Sequence, residues 1–322
     1  MHISLHQLRI LDVVAEEGGI TRAAARLHLT QPTLSIQLKQ LSEAVGEPLF
    51  EQAGRRLYLS EVGHQVRATA RAIAHELEAL EARLAARRGI EQGRLRMAVV
   101  TTAEYFVPRQ LGEFQRAHPG IEVSLQVLNR ADVIRRLEAS ADDLYLMTRP
   151  PDDRLIRAEL VGRNPLLLAA APDHPWATRR RIPVKALRGE ALVMREAGSG
   201  TRLTTEEWLR TRGVGLRTRL ELGSNEAVKQ AVRGGFGLAV LSAHALLQEM
   251  QHGLIMPLDV AGFPIPSRWH LVSRVGRPLS PVAEVFRGYL KRDAMPALAR
   301  TIEVHLSRRT GPARSAHGVA RG

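Results

Sequence analysis

Apolar side chains recur at helical spacing through the first 45 residues: Leu8, Leu11 and Val14, then Ala23, Ala24 and Leu27, then Leu34, Leu38 and Leu41. A helix that sinks one stripe of its surface into a core shows this period, so the pattern predicts three short helices. Gly18-Gly19 separates the first two, with Thr21 placed to cap the second. Leu29-Thr30-Gln31-Pro32 makes a tight turn into the third, with Thr30 as N-cap and proline in the first turn, where its missing N–H is no loss. Such a close pair, over about residues 18–40, is a helix-turn-helix candidate. Leu49-Phe50-Glu51 and Leu57-Tyr58-Leu59 flank a turn at Ala53-Gly54-Arg55-Arg56, which predicts a two-stranded wing with a basic tip.

From Ser60 the pattern changes. Val66, Ala70, Ile73, Leu77, Leu80 and Leu84 repeat in alternating steps of four and three. That heptad seam predicts one long helix over residues 61–89 that pairs with a second copy of itself. After Gly93 strands and helices alternate. Leu95, Met97 and Val99 form a strand, a helix follows through Leu111 and Phe114, and Ile121, Val123, Leu125 and Val127 alternate again. Asn129 can cap a further helix through Val133 and Leu137. Leu144 to Met147, Leu166 to Ala171, Ala191 to Met194 and Leu238 to Leu241 supply more strands, with helices starting near Thr201 and Asn225. This order implies parallel sheets with ligand sites at the strand C-terminal ends. Two crossings, near Val161 and Trp269, would give two lobes and a cleft: lobe I from 90–162 and 268–300, lobe II from 163–267. Residues 301–322 have little apolar content and are expected to be disordered.

Composition narrows the function. With 322 residues and 44% hydrophobic content the chain can build two or three cored domains. No apolar run is long enough to span a membrane and the start lacks a signal-peptide pattern, so the expectation is a cytoplasmic protein. The absence of cysteine excludes disulfides, thiolate chemistry and cysteine-based zinc sites. The net charge of +13 suggests nucleic acid, yet the first 60 residues balance six cations against six carboxylates. His64, His118 and His174 show no metal spacing, and no metal site is expected. Gly198-Ser199-Gly200 lacks the geometry of a nucleophile elbow and no Walker ending follows, so neither an enzyme nor a nucleotide hydrolase is indicated. Gly234-Gly235-Phe236-Gly237 reads as a helix stop.

The stretch AAARLHLTQPTLSIQLKQLSEAVGEPLFEQAGRRLYLSEVG resembles the signature of LysR-type transcriptional regulators. It joins the helix pair, Gln31-Pro32, Ser35, Leu41, Gly46, Pro48-Leu49-Phe50, the wing and Gly63. Ile20, Ser42 and Gln52 depart from it, and Gln52 leaves a phosphate contact to Arg55 or Arg56. Further on, VVTTAEYFVPRQL, HPGIEVSLQVLNR, MTRPPDD, REAGSGTR, LGSNEAVKQAVRGGFGLAVLS and LDVAGFPIPSRWHLV resemble the subgroup that activates RuBisCO and Calvin-cycle genes. Related subgroups governing bicarbonate uptake, nitrogen or sulfur share parts of this pattern, and Leu144-Tyr145-Leu146 is bulkier than it.

The resemblance implies a mixed α and α/β architecture. A winged helix-turn-helix (residues 1–60) is followed by the dimerisation helix and a two-lobed effector domain similar to periplasmic binding proteins (90–300). The protein would bind double-stranded promoter DNA as a dimer of dimers, with RNA polymerase as a partner, no membrane and no cofactor. On the recognition helix Thr33 and Gln37 share the face left after Leu34, Leu38 and Leu41 take the core and suit base edges, Thr21, Ser35, Lys39, Arg55 and Arg56 suit phosphates, and Gln31 is a further candidate for DNA contact. In the cleft Thr101, Thr102, Arg149, Ser199, Gly200, Thr201, Arg202, Asn225 and Lys229 would receive an anionic effector. The subgroup implies phosphorylated sugars, phosphoglycolate or NADPH. An anion closing the cleft would change the lobe angle, the tetramer and the bend of the DNA, provided it binds one arrangement more tightly.

Overall fold

Helices α1 (Leu5–Glu17), α2 (Ile20–Leu27) and α3 (Gln31–Val45) close on a core of Leu8, Leu11, Val14, Ala23, Ala24, Leu34, Leu38 and Leu41. The structure is a computed structural model, which describes residues 3–53, 56–86 and 92–310. Ser4 and Gln7 form a reciprocal capping box on α1, and Thr30 Oγ1 accepts from Thr33 N at 3.3 Å to cap α3. Thr21 is not the cap expected of it. Helix α2 starts directly after Gly19, so Thr21 lies inside the first turn and its hydroxyl accepts from Gln31 Nε2 at 2.6 Å.

The wing pairs β1 (Phe50–Ala53) with β2 (Arg56–Leu59), Phe50 opposite Leu59. Ser60 then pins the long helix α4 (Glu61–Ala86) to the head: its hydroxyl donates to Pro48 O at 2.7 Å and accepts from Gly63 N at 2.9 Å. Gly63 is required here because a Cβ would meet the Leu49 carbonyl oxygen at 2.0 Å. The heptad stripe splits in two. Val66, Ala70 and Ile73 pack into the core of their own head, whereas Leu77 and Leu80 remain 41% and 45% exposed. The side chain of Leu84 lies outside the described residues. Arg67 and Arg71 reach back to Asp12 at 2.6 and 2.8 Å, and Arg71 also holds Glu16 at 2.8 Å.

Lobe I contains β3 (Gly93–Val100), α5 (Val107–Ala117), β4 (Ile121–Leu128), α6 (Arg130–Glu138), β5 (Leu144–Met147) and β6 (Ile156–Arg163). Lobe II contains β7 (Leu166–Ala170), β8 (Ala191–Arg195), α7 (Gly200–Arg210), β9 (Arg217–Leu222), α8 (Asn225–Arg233), β10 (Leu238–Ser242), α9 (Ala243–Gln251) and β11 (Met256–Pro257). The chain then returns to lobe I through β12 (Arg268–Arg274), α10 (Pro281–Tyr289) and α11 (Met295–Thr310). Each lobe has a five-stranded sheet, β4-β3-β5-β12-β6 and β11-β7-β10-β8-β9. The sheets are mixed rather than parallel throughout: β12 runs antiparallel to β5 and β6, and β7 antiparallel to β10, because the chain changes lobe twice. The crossings lie side by side, joined by Asn164 N donating to Ser267 O at 2.9 Å. Tyr145 is buried, its hydroxyl donating to Arg136 O at 2.9 Å and accepting from Asp142 N at 2.8 Å, so the bulky residue fills the core and closes the α6–β5 turn.

The expected disorder from residue 301 is corrected as far as Thr310. Helix α11 starts in the lobe I core at Met295 and buries Ile302 in the core of lobe II, so it staples the two lobes. Few apolar residues are needed for this, since one face of one helix suffices.

Candidate functional site

The outer face of α3 carries Gln31, Thr33, Ser35 and Lys39, all exposed, with Gln37 half-buried between the buried Leu34 and Leu38. Thr33 and Gln37 share a face with Ile36, which is 54% exposed. Ile36 has no assignment from sequence reasoning; its position two after the buried Leu34 is the signal that turns it outward. An apolar side chain here matches a thymine methyl group. Lys39 stands 3.9 Å from Glu43 in solvent. Arg55 lies outside the described residues, and Arg56 is described only through its backbone in β2. The apparent neutrality of the head also resolves. Asp12 and Glu16 are held by Arg67 and Arg71, and Arg26 holds Glu16 and Glu17 at 2.9 and 3.0 Å, so these acids face α4 and α2 rather than α3.

At the seam between lobes, β3 ends at Val100 and the chain turns into a short 3-10 segment that opens with Thr101 and Thr102, and β8 ends in Arg195 facing it. Arg195 is buried. Its guanidinium donates to Thr101 Oγ1 at 3.1 Å, to Asn225 Oδ1 at 2.5 Å and to both carboxylate oxygens of Glu196 at 2.7 and 2.8 Å. This residue was missed by sequence reasoning, since an arginine at the end of an apolar strand gives no local sign of a partner 94 residues away. Tyr105 Oη donates to Glu226 Oε1 at 2.8 Å, and Lys229 Nζ stands 4.8 Å from the Tyr105 ring. Burial, then the Glu226 contact, push the Tyr105 hydroxyl well above its ordinary pKa. Burial acts to raise the Glu226 carboxyl, but bonds from Lys229 and Tyr105 outweigh it and hold the group low.

Several expected anion ligands are already engaged. Lys229 is buried and bonded to Glu226 and Glu249 at 2.6 and 2.7 Å. Arg202 bridges Glu206 and Glu221 at 2.7 and 2.5 Å and donates to Arg195 O at 3.0 Å, which makes it a strut between α7 and β9. Asn225 is committed to Arg195. What stays oriented to the seam is the start of α7: Ser199 is its N-cap, buried and without a side-chain capping bond, followed by Gly200 and buried Thr201. The first amides of a helix lack internal partners and accept anions readily. A Cβ on Gly200 would meet Thr148 Oγ1 of lobe I at 2.5 Å, so glycine permits the lobes to approach. Arg149, at the end of β5, crosses the seam to Glu207 of α7 at 2.7 Å. The arrangement ties the two lobes through Arg149–Glu207 and Arg195–Thr101 and leaves the start of α7 at the seam.

Two family models match. Residues 5–64 fit the bacterial regulatory helix-turn-helix protein model of the lysR family, and residues 88–295 fit the LysR substrate binding domain. The chain is 43% identical to a RuBisCO operon transcriptional regulator of Acidithiobacillus ferrooxidans, over 90% of this chain and 94% of that protein. It is 42% identical to the HTH-type transcriptional activator CmpR of Synechocystis, over 89% and 94%. Among solved structures, the regulatory domain of Synechocystis PCC6803 CcmR in complex with 2-PG is 46% identical and superposes with a TM-score of 0.61, covering 63% of this chain and 98% of that one.

Proposed function

The chain belongs to the LysR family of bacterial helix-turn-helix regulators, and on that premise we propose that it activates RuBisCO and Calvin-cycle genes in response to a small anionic metabolite held between its effector lobes. The observation that carries this reading is a likeness to a RuBisCO operon regulator that runs through both head and effector lobes. Helix α3 enters the major groove, where Thr33, Ile36 and Gln37 read base edges and Thr21, Ser35 and Lys39 meet phosphates. Leu77 and Leu80 of α4 face the same helix of a second copy, giving two heads for a two-fold operator, and dimers pair again to engage RNA polymerase. In the effector domain the buried start of α7 and Arg195 of the same lobe, with Thr101 and Arg149 across the seam, receive the ligand without any cofactor. The 2-PG complex of the CcmR domain favours a compact phosphorylated acid such as phosphoglycolate over a dinucleotide. Binding must favour one lobe angle, since a ligand with equal affinity for both shifts nothing.

A titration by fluorescence anisotropy at fixed salt tests this, comparing DNA from upstream of a RuBisCO operon with a scrambled duplex. Specific binding should exceed non-specific binding by about a thousandfold or more, and phosphoglycolate should alter the footprint. Equal affinity for both duplexes would remove the proposed regulon.

A further inference from the structure

Arg130 and Arg149 meet where β4 and β5 deliver their C-terminal ends. Arg130 opens α6, and its Nε donates to the backbone carbonyl of Arg149 at 2.9 Å. Burial, with the neighbouring Arg149 charge, lowers the Arg130 pKa. Two partly buried cations so placed call for a shared anion. Lobe II supplies one in Glu207, whose Oε2 accepts from Arg149 Nη1 at 2.7 Å. Every other cation named at the seam has its own carboxylate: Arg195 has Glu196, Lys229 has Glu226 and Glu249, and Arg202 has Glu206 and Glu221. Among the described residues Arg130 has none within ion-pair distance. Glu207 is also the least confined of these acids after Glu226, 55% exposed and fixed by a single bond.

We propose that Arg130 and Arg149 form an oxyanion seat on lobe I for the phosphoryl or carboxylate group of the effector, and that Glu207 is an internal anion competing for it. This rests on the reading that an anionic metabolite binds between the lobes. An oxyanion on the seat takes both arginines, releases Glu207 and so breaks the ion pair that ties α7 to β5. Occupancy and lobe angle are thereby linked by one displaced contact, and a neutral ligand has no purchase on it.

Calorimetric titration of the full-length protein with phosphoglycolate, and separately with inorganic phosphate, tests the seat. Removing the competitor in Glu207→Gln should tighten phosphoglycolate about two- to fivefold, the scale of an exposed ion pair. Arg130→Gln and Arg149→Gln should each weaken it about tenfold, the scale of a lost charge-assisted hydrogen bond. Unfolding midpoints check that the arginine variants fold; Glu207 is exposed, and its variant carries the test alone if they do not. An unchanged or weaker affinity in Glu207→Gln overturns the competition, and equal affinities in all variants overturn the seat while leaving the effector reading intact. Failure of wild-type protein to bind either probe defeats the effector reading and the seat with it.

Discussion

Arg195 shows what a single buried charge does at this seam. It is the only described side chain to bond Glu196, Asn225 and Thr101 at once, and it therefore ties the end of β8 both to α8 in its own lobe and to β3 in the other. A buried pair adds little over an apolar packing of equal shape, but removing one partner strands the other, at a cost of about 3–5 kcal/mol. Arg195→Met should lower stability by that amount in chemical denaturation, with Arg195→Lys recovering part of it; a loss below about 1 kcal/mol would show that Glu196 simply turns to solvent. His244 acts on the same seam through pH. It is packed against Phe106 and Trp269 at ring-centroid distances of 5.1 and 6.0 Å, and burial brings its pKa down to about 4. The unfolded chain binds a proton near the usual value of about 6.5 while the folded one resists it. Stability is therefore complete above about pH 6.5 and falls as pH drops toward 4, by up to about 3 kcal/mol. His244→Phe should flatten this limb of a stability-against-pH curve, and an unaltered limb would assign it to other groups.

At the scale of elements, local and long-range signals part company. The head was legible because its information is short-range: a 3.6-residue stripe, the Thr30 cap and Pro32 act within a few positions of one another. The strand-helix alternation was legible for the same reason, and the ends of β3, β5 and β8 do meet where the two lobes face each other. Which side chains complete that place was not legible. The pairs Arg149–Glu207 and Tyr105–Glu226 are separated by 58 and 121 residues, so nothing local distinguishes Arg202, a strut, from Arg195, a cross-lobe tie. The stripe on α4 was legible as a stripe but not as two, since Val66, Ala70 and Ile73 satisfy the head before Leu77 and Leu80 turn to solvent. Helix α3 yields a prediction that separates its two kinds of contact. Thr33→Ala and Gln37→Ala should each cost about 1–3 kcal/mol against the operator and little against scrambled DNA, because base edges carry the sequence. Lys39→Ala should weaken both alike and reduce the slope of log affinity against log salt by about one. Uniform losses from Thr33→Ala and Gln37→Ala in a mobility shift would move these residues to the phosphates.

For the whole molecule, the question is how a ligand between two lobes reaches DNA under a separate head. The lobes are joined by two antiparallel crossings, by α11 and by the seam contacts, so a change in lobe angle moves lobe surfaces while the head keeps its own core. Only an assembly in which lobes or linkers of different copies touch can turn that movement into a change of head spacing. The exposed half of α4 is where such an assembly begins. Leu77→Glu with Leu80→Glu would place like charges opposite each other across a two-fold helix pair, at several kcal/mol, enough to weaken dimerisation roughly a hundredfold. Because neither residue serves the head core, the unfolding midpoint of the head should hold. Sedimentation would then show monomers, and operator affinity should collapse toward the single-head value with about half the salt slope, since one head contacts half the phosphates. If the double variant sediments as wild type, the copies are joined through their effector lobes, and the lobe angle would have to reach the heads without α4 as the shared shaft.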